Sequence, residues 1–335
     1  MTGADPAGFG LAEEVEDLRA AADRFAREVL APAVRDHERA GRWPDEVAAV
    51  VDGFAGGGCL TRAVLLETLA TGDAGGLPAA DRPGPASGAV DACPDRALAA
   101  AAAEACWLHV GDAQTVAWAP GWPARRWVWV SAGDRLALVE VAGGPEPVEA
   151  LAFGASGGVG IDLGGSAPVG AWDLPPGGGL AVRGRARLWA AAVAVGVGQA
   201  AFDATVAYTT ERIVFGRPVA HHQANAFDLA ALATGLHGAR LAVRDAAAGF
   251  DDGDPAAGFW ATQAWREAVA VAVAVSEAGI QLLGGHGFLV DHLAEKRYRE
   301  ARMLGLLAGG ADAALDDLAA AVLDVPDPLL GGVPA

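Results

Sequence analysis

Apolar positions in the first third of the chain fall on helical stripes. Six of them recur at spacings of four and three residues, which predicts a helix over residues 11–31 that ends near Pro32. Two further apolar runs, separated by the flexible sequence AGGGC, predict a helical patch over about 46–71. Residues 72–96 are rich in Gly, Pro, Ala and Asp and are predicted to form a loop or linker.

Alternation replaces the helical pattern in the middle of the chain. The run WVWVSAGDRLALVEV alternates, carries β-branched and aromatic residues, and contains a Gly-Asp turn at 133–134 between two predicted strands. Short segments broken by Gly and Pro continue to residue 182. Residues 120–182 are therefore predicted to form a small β region.

Helical periodicity returns from Arg183 onward. An alanine-rich run without proline extends over 185–212 and predicts one long helix. Asp254 followed by Pro255 is a good N-cap and N1 pair for a helix that reaches about Leu283. The pattern predicts three long helices and a shorter pair, packed as an antiparallel bundle.

Taken together, the periodicities predict a mainly α chain with a small central β domain and a C-terminal antiparallel helical bundle. The predicted divisions are a shortened N-terminal helical domain at 1–95, a reduced β-rich middle domain at 96–182, the bundle at 183–325 and a tail at 326–335. No internal repeat accompanies this order of elements.

The composition is typical of a protein with a well-buried interior. Hydrophobic residues make up 53% of the 335 residues, and 24 basic against 42 acidic side chains give a formal net charge of −18. A surface this negative repels phosphate backbones, so no nucleic-acid partner is expected. A phosphate-bearing ligand must then be held by a local group of Arg side chains and backbone N–H groups.

The sequence carries no signal for export or membrane insertion. The stretch MTGADPAGFGLAEEVEDL has neither a basic n-region nor an apolar h-region, and the alanine-rich runs are not strongly apolar enough to predict a membrane span. Cys59, Cys93 and Cys106 lack metal-ligand spacing and are expected to be buried thiols in a reducing cytosol. We therefore expect a soluble, cytoplasmic protein.

Three local patterns favour structural roles over chemical ones. Residues 154–158, GASGG, match the G-x-S-x-G pattern of a nucleophile elbow, but no strand-to-helix turn is predicted around them. His221 and His222 have no third ligand at suitable spacing, so a solvated turn is predicted there and no metal site. Three basic residues are predicted to form ion pairs on a helix: Arg297, Arg299 and Arg302.

Two stretches carry the most specific signals. The first is YTTERIVFGRPVAHHQ, from Tyr208 to Gln223, and the second is QLLGGHGFLVDHLAEKRYREAR, from Gln281 to Arg302. Together they resemble the acyl-CoA dehydrogenase family, whose C-terminal bundle carries R-x-x-F-G-x-P-x-x-x-x-Q and Q-x-x-G-G-x-G at a similar separation. The resemblance covers about residues 183–322, and the helix–β–helix order of the chain agrees with it.

The residue types suit FAD, the cofactor that the resemblance implies. Arg212 has a planar fork that fits a pyrophosphate, and Gln281 can both donate and accept hydrogen bonds. The implied partner is a homologous subunit or a second copy of this chain, in a dimer or tetramer, and the implied substrate is an acyl-CoA. By resemblance six residues would contact FAD, the last three through the ADP half of a cofactor seated mainly in a neighbouring subunit: Arg212, Phe215, Gln223, Gln281, Gly284 and Gly285.

The catalytic carboxylate of the family is missing from both of its usual positions. The family removes a proton next to a thioester carbonyl while hydride passes to the flavin, which needs a Glu in the helix break after R-[DE]-A or on the first bundle helix. These positions are Ala308 and Ala186 here. A general base contributes typically 10²–10⁴-fold in rate, so ordinary dehydrogenation by this chain alone is not expected. Two nearby acids could substitute, but Glu300 is predicted to be structural and Asp312 to N-cap the last helix.

The β region departs from the family as well. It has no T-E-P…G-S-D type segment, which lines the flavin ring and substrate in the family. Trp129, Val130 and Ser131 resemble the family's W-[IV]-[ST] flavin contact over three residues only, and a buried Trp in a strand is the simpler interpretation.

Three hypotheses follow from these observations. In the leading one, the chain is a base-lacking subunit of an oxidoreductase that acts on CH–CH bonds of an acyl-CoA, and it completes the FAD site of a partner homologue in a hetero-oligomer. The second is a self-sufficient flavoenzyme with a relocated base, such as Glu300. The third is a non-redox binding or scaffold protein of the same fold.

Overall fold

The computed structural model describes most of the chain. The described ranges are 11–54, 56–82, 84–102, 107–111, 116–121, 127–141 and 151–324. Cys106 and the predicted tail at 326–335 lie outside them. Within these ranges helices are followed by strands and then by long helices, so the predicted mainly α fold with a central β region and a C-terminal bundle is confirmed.

The N-terminal part begins with one long helical stretch. α1 (Glu13–Phe25) continues through a π-helical turn (Ala26–Leu30) into α2 (Ala31–Ala40). The prediction that this helix ends near Pro32 was wrong, because the proline lies in the first turn of α2, where its missing N–H is not needed. The stretch ends instead at Gly41, whose φ of 71° is typical of a helix C-terminus.

The predicted helical patch is present, and further short helices follow it. α3 (Asp45–Gly53) and α4 (Cys59–Gly72) occupy the patch. Three short helices come next: α5 (Leu77–Ala80), α6 (Ser87–Ala92) and α7 (Arg96–Ala101). The prediction of a loop over 72–96 was therefore wrong in part. Its small side chains, such as the fully buried Ala89, let this segment pack closely against the bundle.

Strands follow in the middle of the chain. They are β1 (Leu108–Val110), β2 (Val116–Ala119), β3 (Trp127–Ala132), β4 (Arg135–Glu140), β5 (Val159–Asp162) and β6 (Pro168–Asp173). Four of them form a sheet in the order β1–β3–β4–β6, in which β1 is parallel to β3 and the other neighbours are antiparallel. β2 pairs with β5 separately. The predicted turn at 133–134 joins β3 to β4, but the first two strands lie before residue 120, since runs of three and four residues are too short to show alternation.

The C-terminal region is the predicted bundle. Its helices are α8 (Gly178–Glu211), α9 (Gln223–Asp251), α10 (Ala257–Leu283), α11 (Ala294–Leu304) and α12 (Gly310–Asp324). A hairpin of β7 (Ile213–Val214) and β8 (Arg217–Pro218) joins α8 to α9. The prediction that Asp254 and Pro255 are the N-cap and N1 residues of α10 was wrong, because the helix begins at Ala257 with Ala256 at the N-cap. Asp254 lies in the preceding turn, where it accepts the Ala256 N–H at 2.8 Å. Gly284 ends the helix with a φ of 61°.

The central helix of the molecule is α8. It packs against α4, α9, α10 and the sheet, and its residues from Ala190 to Val195 are fully buried. It meets α10 at a glycine pair, where a Cβ added to Gly184 would lie 2.6 Å from the Cα of Gly258. By length and composition alone α8 and α10 are apolar enough to cross a membrane, and in this fold they pack against each other.

A buried charge network fixes the N-terminal helices to α11. Asp73, which follows α4, accepts hydrogen bonds from Lys296 Nζ and Trp43 Nε1, each at 2.9 Å, and lies 3.2 Å from Nδ1 of His37. Lys296 is also paired with Glu300. Burial would raise the pKa of Asp73, but Lys296 and the other donors outweigh it and hold that pKa far below its ordinary value.

Candidate functional site

The first cofactor motif forms the β7–β8 hairpin at the C-terminal end of α8. Arg212 is the first residue to leave the helix, with φ −71° and ψ 117°. Phe215 and Gly216 form the two-residue turn with φ values of 51° and 79°, and two positive values in succession are the type I′ arrangement that suits a tight hairpin. Phe215 is 94% exposed, and a positive φ is unfavourable for an aromatic residue. The turn therefore displays an apolar ring outside the chain.

His222 holds this hairpin in place. Its Nδ1 accepts the Nε–H of Arg217 at 3.2 Å, so Nε2 carries the ring hydrogen and donates to the Val214 carbonyl at 3.1 Å. Gln223 follows as the exposed first residue of α9. Among the described residues there is no group of three or more His, Cys, Asp or Glu side chains that could hold a metal ion.

The second cofactor motif follows the end of α10. Gln281 is exposed in the last turn, and Gly284 has φ 61° and ψ −134°, a combination that glycine adopts readily. Gly287 is required by packing, because a Cβ there would lie 2.2 Å from the Ile280 carbonyl oxygen. Gly285 has neither constraint: a Cβ would meet nothing within 4 Å. No described part of the chain requires glycine at Gly285, and its open face would let a ligand or another chain approach closely.

Both motifs lie at the same end of the bundle. The rings of Tyr208 and His292 are 6.3 Å apart, and His292 is 5.6 Å from His286 of the glycine motif. Large apolar side chains are exposed at this end, including Phe227 at 65% and Phe288 at 67%. We call this end the motif surface, defined by the six sequence-predicted residues Arg212, Phe215, Gln223, Gln281, Gly284 and Gly285.

The two positions at which the resemblance implies a catalytic carboxylate lie together in another part of the molecule, between the sheet and the bundle. Ala186 of α8 and Ala308, which precedes α12, pack in one buried cluster with Trp129 and Leu136. Ala308 adopts φ 52° and ψ 37°, and it is 8% exposed. The break in the helix at residues 307–309 is a short 3₁₀ turn at the edge of this core, with Leu307 and Ala308 buried and Gly309 exposed.

Two arginines and one carboxylate lie beside these alanines. Asp317 of α12 accepts from Arg187 Nη1 at 2.6 Å and from Arg183 Nε at 2.8 Å. Arg187 is fully buried and also donates to the Ala308 carbonyl at 3.3 Å. Arg183 Nη1 also donates a hydrogen bond to the Gly133 carbonyl at 2.6 Å, which connects the bundle to the β3–β4 turn. This cluster was not predicted from the sequence, although the three arginines near the start of α8, Arg183, Arg185 and Arg187, were a visible signal.

Electrostatics make the cluster unsuited to proton abstraction. Burial would raise the pKa of Asp317, but the hydrogen bonds and charges of Arg183 and Arg187 outweigh it and hold that pKa below its usual range. Burial lowers the pKa of Arg187, and Asp317 opposes that effect. A carboxylate bound to two cations is a weak proton acceptor, so Asp317 is a structural counter-charge.

The other acids considered as substitutes are placed differently. Glu300 lies in the network with Lys296 and Asp73; burial raises its pKa, and Lys296 opposes the rise. Asp312 is exposed in the first turn of α12, which begins at Gly310, so the prediction that it N-caps this helix was wrong.

Ser156 has a structural role, as the sequence analysis favoured. Its side chain is 1% exposed, and its hydroxyl donates to the Gly75 carbonyl at 2.7 Å. This bond ties the segment after β4 to the loop that follows α4. A hydroxyl held in this way cannot serve as a nucleophile on an external substrate.

Comparison with known protein sequences identifies the bundle. Residues 183–323 match the family model of the acyl-CoA dehydrogenase C-terminal domain. Over 123 residues the chain is 36% identical to cyclohex-1-ene-1-carbonyl-CoA dehydrogenase of Geobacter metallireducens, a match that covers 37% of this chain and 32% of that protein. By sequence, the chain thus spans about a third of the length of the curated relatives it matches.

Comparison with solved structures extends the likeness to the whole fold. The structure of butyryl-CoA dehydrogenase from Megasphaera elsdenii aligns with a TM-score of 0.75 at 18% identity, covering 94% of this chain and 99% of that one. A glutaryl-CoA dehydrogenase from Mycobacterium smegmatis in complex with FADH2 aligns with a TM-score of 0.73 at 17% identity, covering 95% and 96%. These similarities establish the fold of the chain.

Proposed function

We propose that this chain, which has the acyl-CoA dehydrogenase fold and carries that family's C-terminal domain at residues 183–323, is a base-lacking subunit of a flavin-dependent oxidoreductase acting on CoA thioesters. Its motif surface would complete the FAD site of a partner homologue. One observation carries the proposal: the motif surface is exposed, whereas both base positions, Ala186 and Ala308, are alanines in a closed core.

The motif surface fits the outer half of an FAD. Arg212 is exposed and forms no ion pair with the described residues, so its guanidinium is available to a pyrophosphate. Gln281 offers both a donor and an acceptor, and Gly285 leaves room for close approach. FAD, when bound, supplies the hydride acceptor. Because these residues lie on the outside of the bundle, the rest of the cofactor must be held by another subunit.

The packing between the sheet and the bundle supports the absence of a thioester site from the described part of this chain. The space between sheet and bundle is occupied by buried side chains, among them Trp129, Leu138 and Val182. Ala186 lies 26 positions before Arg212, which corresponds to about 39 Å along a helix. The closed core and the exposed motif surface are thus well separated, which supports a role for the motif surface that is independent of chemistry in this chain.

The self-sufficient flavoenzyme is less well supported. A relocated base needs a carboxylate free to accept a proton at the reacting carbon. Asp317 is bound to two arginines, and Glu300 is paired with Lys296. The non-redox scaffold does not explain why Arg212 and Gly285 face outward without a partner in the described part of the chain.

The proposal is tested by flavin content. The chain is purified alone and after co-expression with acyl-CoA dehydrogenase homologues encoded beside it, and the flavin absorbance per mole of protein is recorded. We expect flavin in the co-expressed complex and little in the chain alone. Full dehydrogenase turnover by the chain alone would refute the proposal, as would a complex without flavin.

Matched variants identify the surface responsible. Arg212→Ala removes a charged donor worth about 1.5–3 kcal/mol, so FAD retention in the complex should weaken about 10- to 100-fold. Arg266→Ala, at an exposed position of α10, is its control. Gly285→Ala should also reduce flavin, whereas Gly238→Ala should not, although a Cβ at either glycine meets nothing within 4 Å. Equal flavin in all four variants would contradict the assignment of the motif surface.

A further inference from the structure

A small cavity lies behind the motif surface, between the C-terminal halves of α8 and α10 and the start of α11. Its volume is about 60 Å³. The polar side chains in its lining are Thr205, Tyr208, Ser276, His292 and Arg297. None of the described residues that line it is an Asp or a Glu, in a chain whose net charge is −18. The cavity is thus a positively charged site in an acidic protein.

Arg297 provides that charge without a close counter-ion. The prediction that it forms an ion pair was wrong: it makes none within 4 Å among the described residues, whereas Arg299, on the same helix, pairs with Glu38 and Glu295. Burial lowers the pKa of the half-buried Arg297, and the nearby acids Glu300 and Asp203 oppose that effect only in part.

The acids that act on Arg297 from a distance are already engaged. Glu300 is paired with Lys296, and Asp203 accepts a hydrogen bond from Gln199 Nε2 at 2.8 Å. Both oppose the effect of burial on the pKa of Arg297, and Arg35 adds to it. Because Arg297 lines the cavity, an anion bound there would give the guanidinium a direct counter-charge.

Ser276 supplies a second group that lacks a partner. It is 1% exposed, and its Oγ forms no hydrogen bond within the described structure. Other hydroxyls on these two helices donate to the carbonyl four residues earlier, as Thr205 does to Ala201 at 2.7 Å and Thr262 to Gly258 at 2.8 Å. A buried hydroxyl without this bond is destabilising unless a group in the cavity accepts a hydrogen bond from it.

We propose that this cavity binds a small oxyanion, with Arg297 as its counter-charge and Ser276 as a hydrogen-bond donor. A cavity of about 60 Å³ exceeds the roughly 10–15 Å³ that one water molecule needs, so it has room for a small ligand such as a carboxylate or inorganic phosphate. Charge-assisted hydrogen bonds from a guanidinium and a hydroxyl are the donor set that such an anion prefers. This site is distinct from the motif surface and does not depend on the proposed function.

The test measures the melting temperature of the intact chain against increasing sodium acetate or inorganic phosphate at constant ionic strength, with chloride as the balancing ion. We expect a saturable rise with one of the two oxyanions, of roughly several degrees at a hundredfold excess over its dissociation constant. The anion that gives the rise identifies the charge and geometry that the site prefers. No saturable rise with either would overturn the proposal and leave a cavity that holds water only.

Variants locate the binding. Arg297→Gln should abolish the rise, and Ser276→Ala, which removes one oxygen, should weaken binding about tenfold. Arg302→Gln, at an exposed position of the same helix, should leave it unchanged. Arg297→Lys keeps the charge and guards against a folding defect, so it should retain a reduced rise. An equal rise in wild type and Arg297→Gln would place the anion elsewhere and refute the assignment.

Discussion

Asp317 holds together the part of the core that contains Ala186 and Ala308, and replacing Asp317 with Asn tests that interpretation. The substitution keeps the size of the side chain but removes the charge shared by Arg183 and Arg187. Arg187 is fully buried, and Arg183 is 5% exposed, so neither cation can regain full hydration in the folded state. Removing one member of a buried ion pair costs about 3–5 kcal/mol. Asn retains one acceptor oxygen, so we expect a loss of about 3 kcal/mol.

The assay is thermal and urea unfolding of the purified chain. At roughly 2–4 °C per kcal/mol, the melting temperature should fall by about 6–12 °C. Asp316→Asn is the matched control. The Asp316 side chain is exposed, so this substitution should change the free energy of unfolding by no more than about 0.5 kcal/mol. If Asp317→Asn is no more destabilising than Asp316→Asn, the Asp317 carboxylate is not a structural counter-charge. That result would favour the alternative in which Asp317 is a relocated base.

Other consequences of the structure can be tested in the same way. Folding lowers the pKa of Asp317, so the stability that this carboxylate contributes is present above its unfolded pKa of 3.8 and is lost as the pH falls below about 4. The difference in free energy of unfolding between wild type and Asp317→Asn should therefore be constant near neutral pH and shrink in acid. A difference that grows in acid would contradict this reasoning. Gly287→Ala should destabilise the lone chain by more than about 1 kcal/mol in urea unfolding, because its Cβ would overlap the Ile280 carbonyl, while Gly285→Ala should leave it unchanged; equal effects would refute the packing argument. Ser156→Ala leaves a buried carbonyl unpaired and should cost about 1–3 kcal/mol in unfolding experiments, and a neutral result would show that water replaces the hydroxyl.

The long helices of the bundle were predictable because each repeats one local signal over many residues. The run 185–212 has no helix-breaking proline, and Asp254 with Pro255 predicts the start of α10 to within about two residues. The cofactor motifs were also visible, since their residues follow closely on one another in sequence. Signals of this kind depend only on residues that are close together in the sequence.

Features that depend on distant partners were not predictable. Arg183 and Asp317 are separated by 134 positions, and no periodicity reports that they will meet. The short helices in 72–96 form because alanines can be buried against α8, which is a tertiary effect that overrides the loop-like composition. In the sequence Arg297 resembles the other arginines of its helix. Only the folded structure shows that the acids acting on it, Glu300 and Asp203, do not form an ion pair with it.

The buried network around Asp73 also has a consequence for the order of events during synthesis. Its cation, Lys296, lies 223 positions later in the chain, and the neighbouring pair of Arg35 with Glu295 spans 260. At about 5–20 residues per second, the ribosome exposes the aspartate roughly 10–45 s before its partner. The N-terminal helices therefore cannot reach their final packing while the chain is still being made. Their completion must wait for α11, and a nascent chain that stops before that helix would keep a charged, unfinished core open to chaperones and proteases.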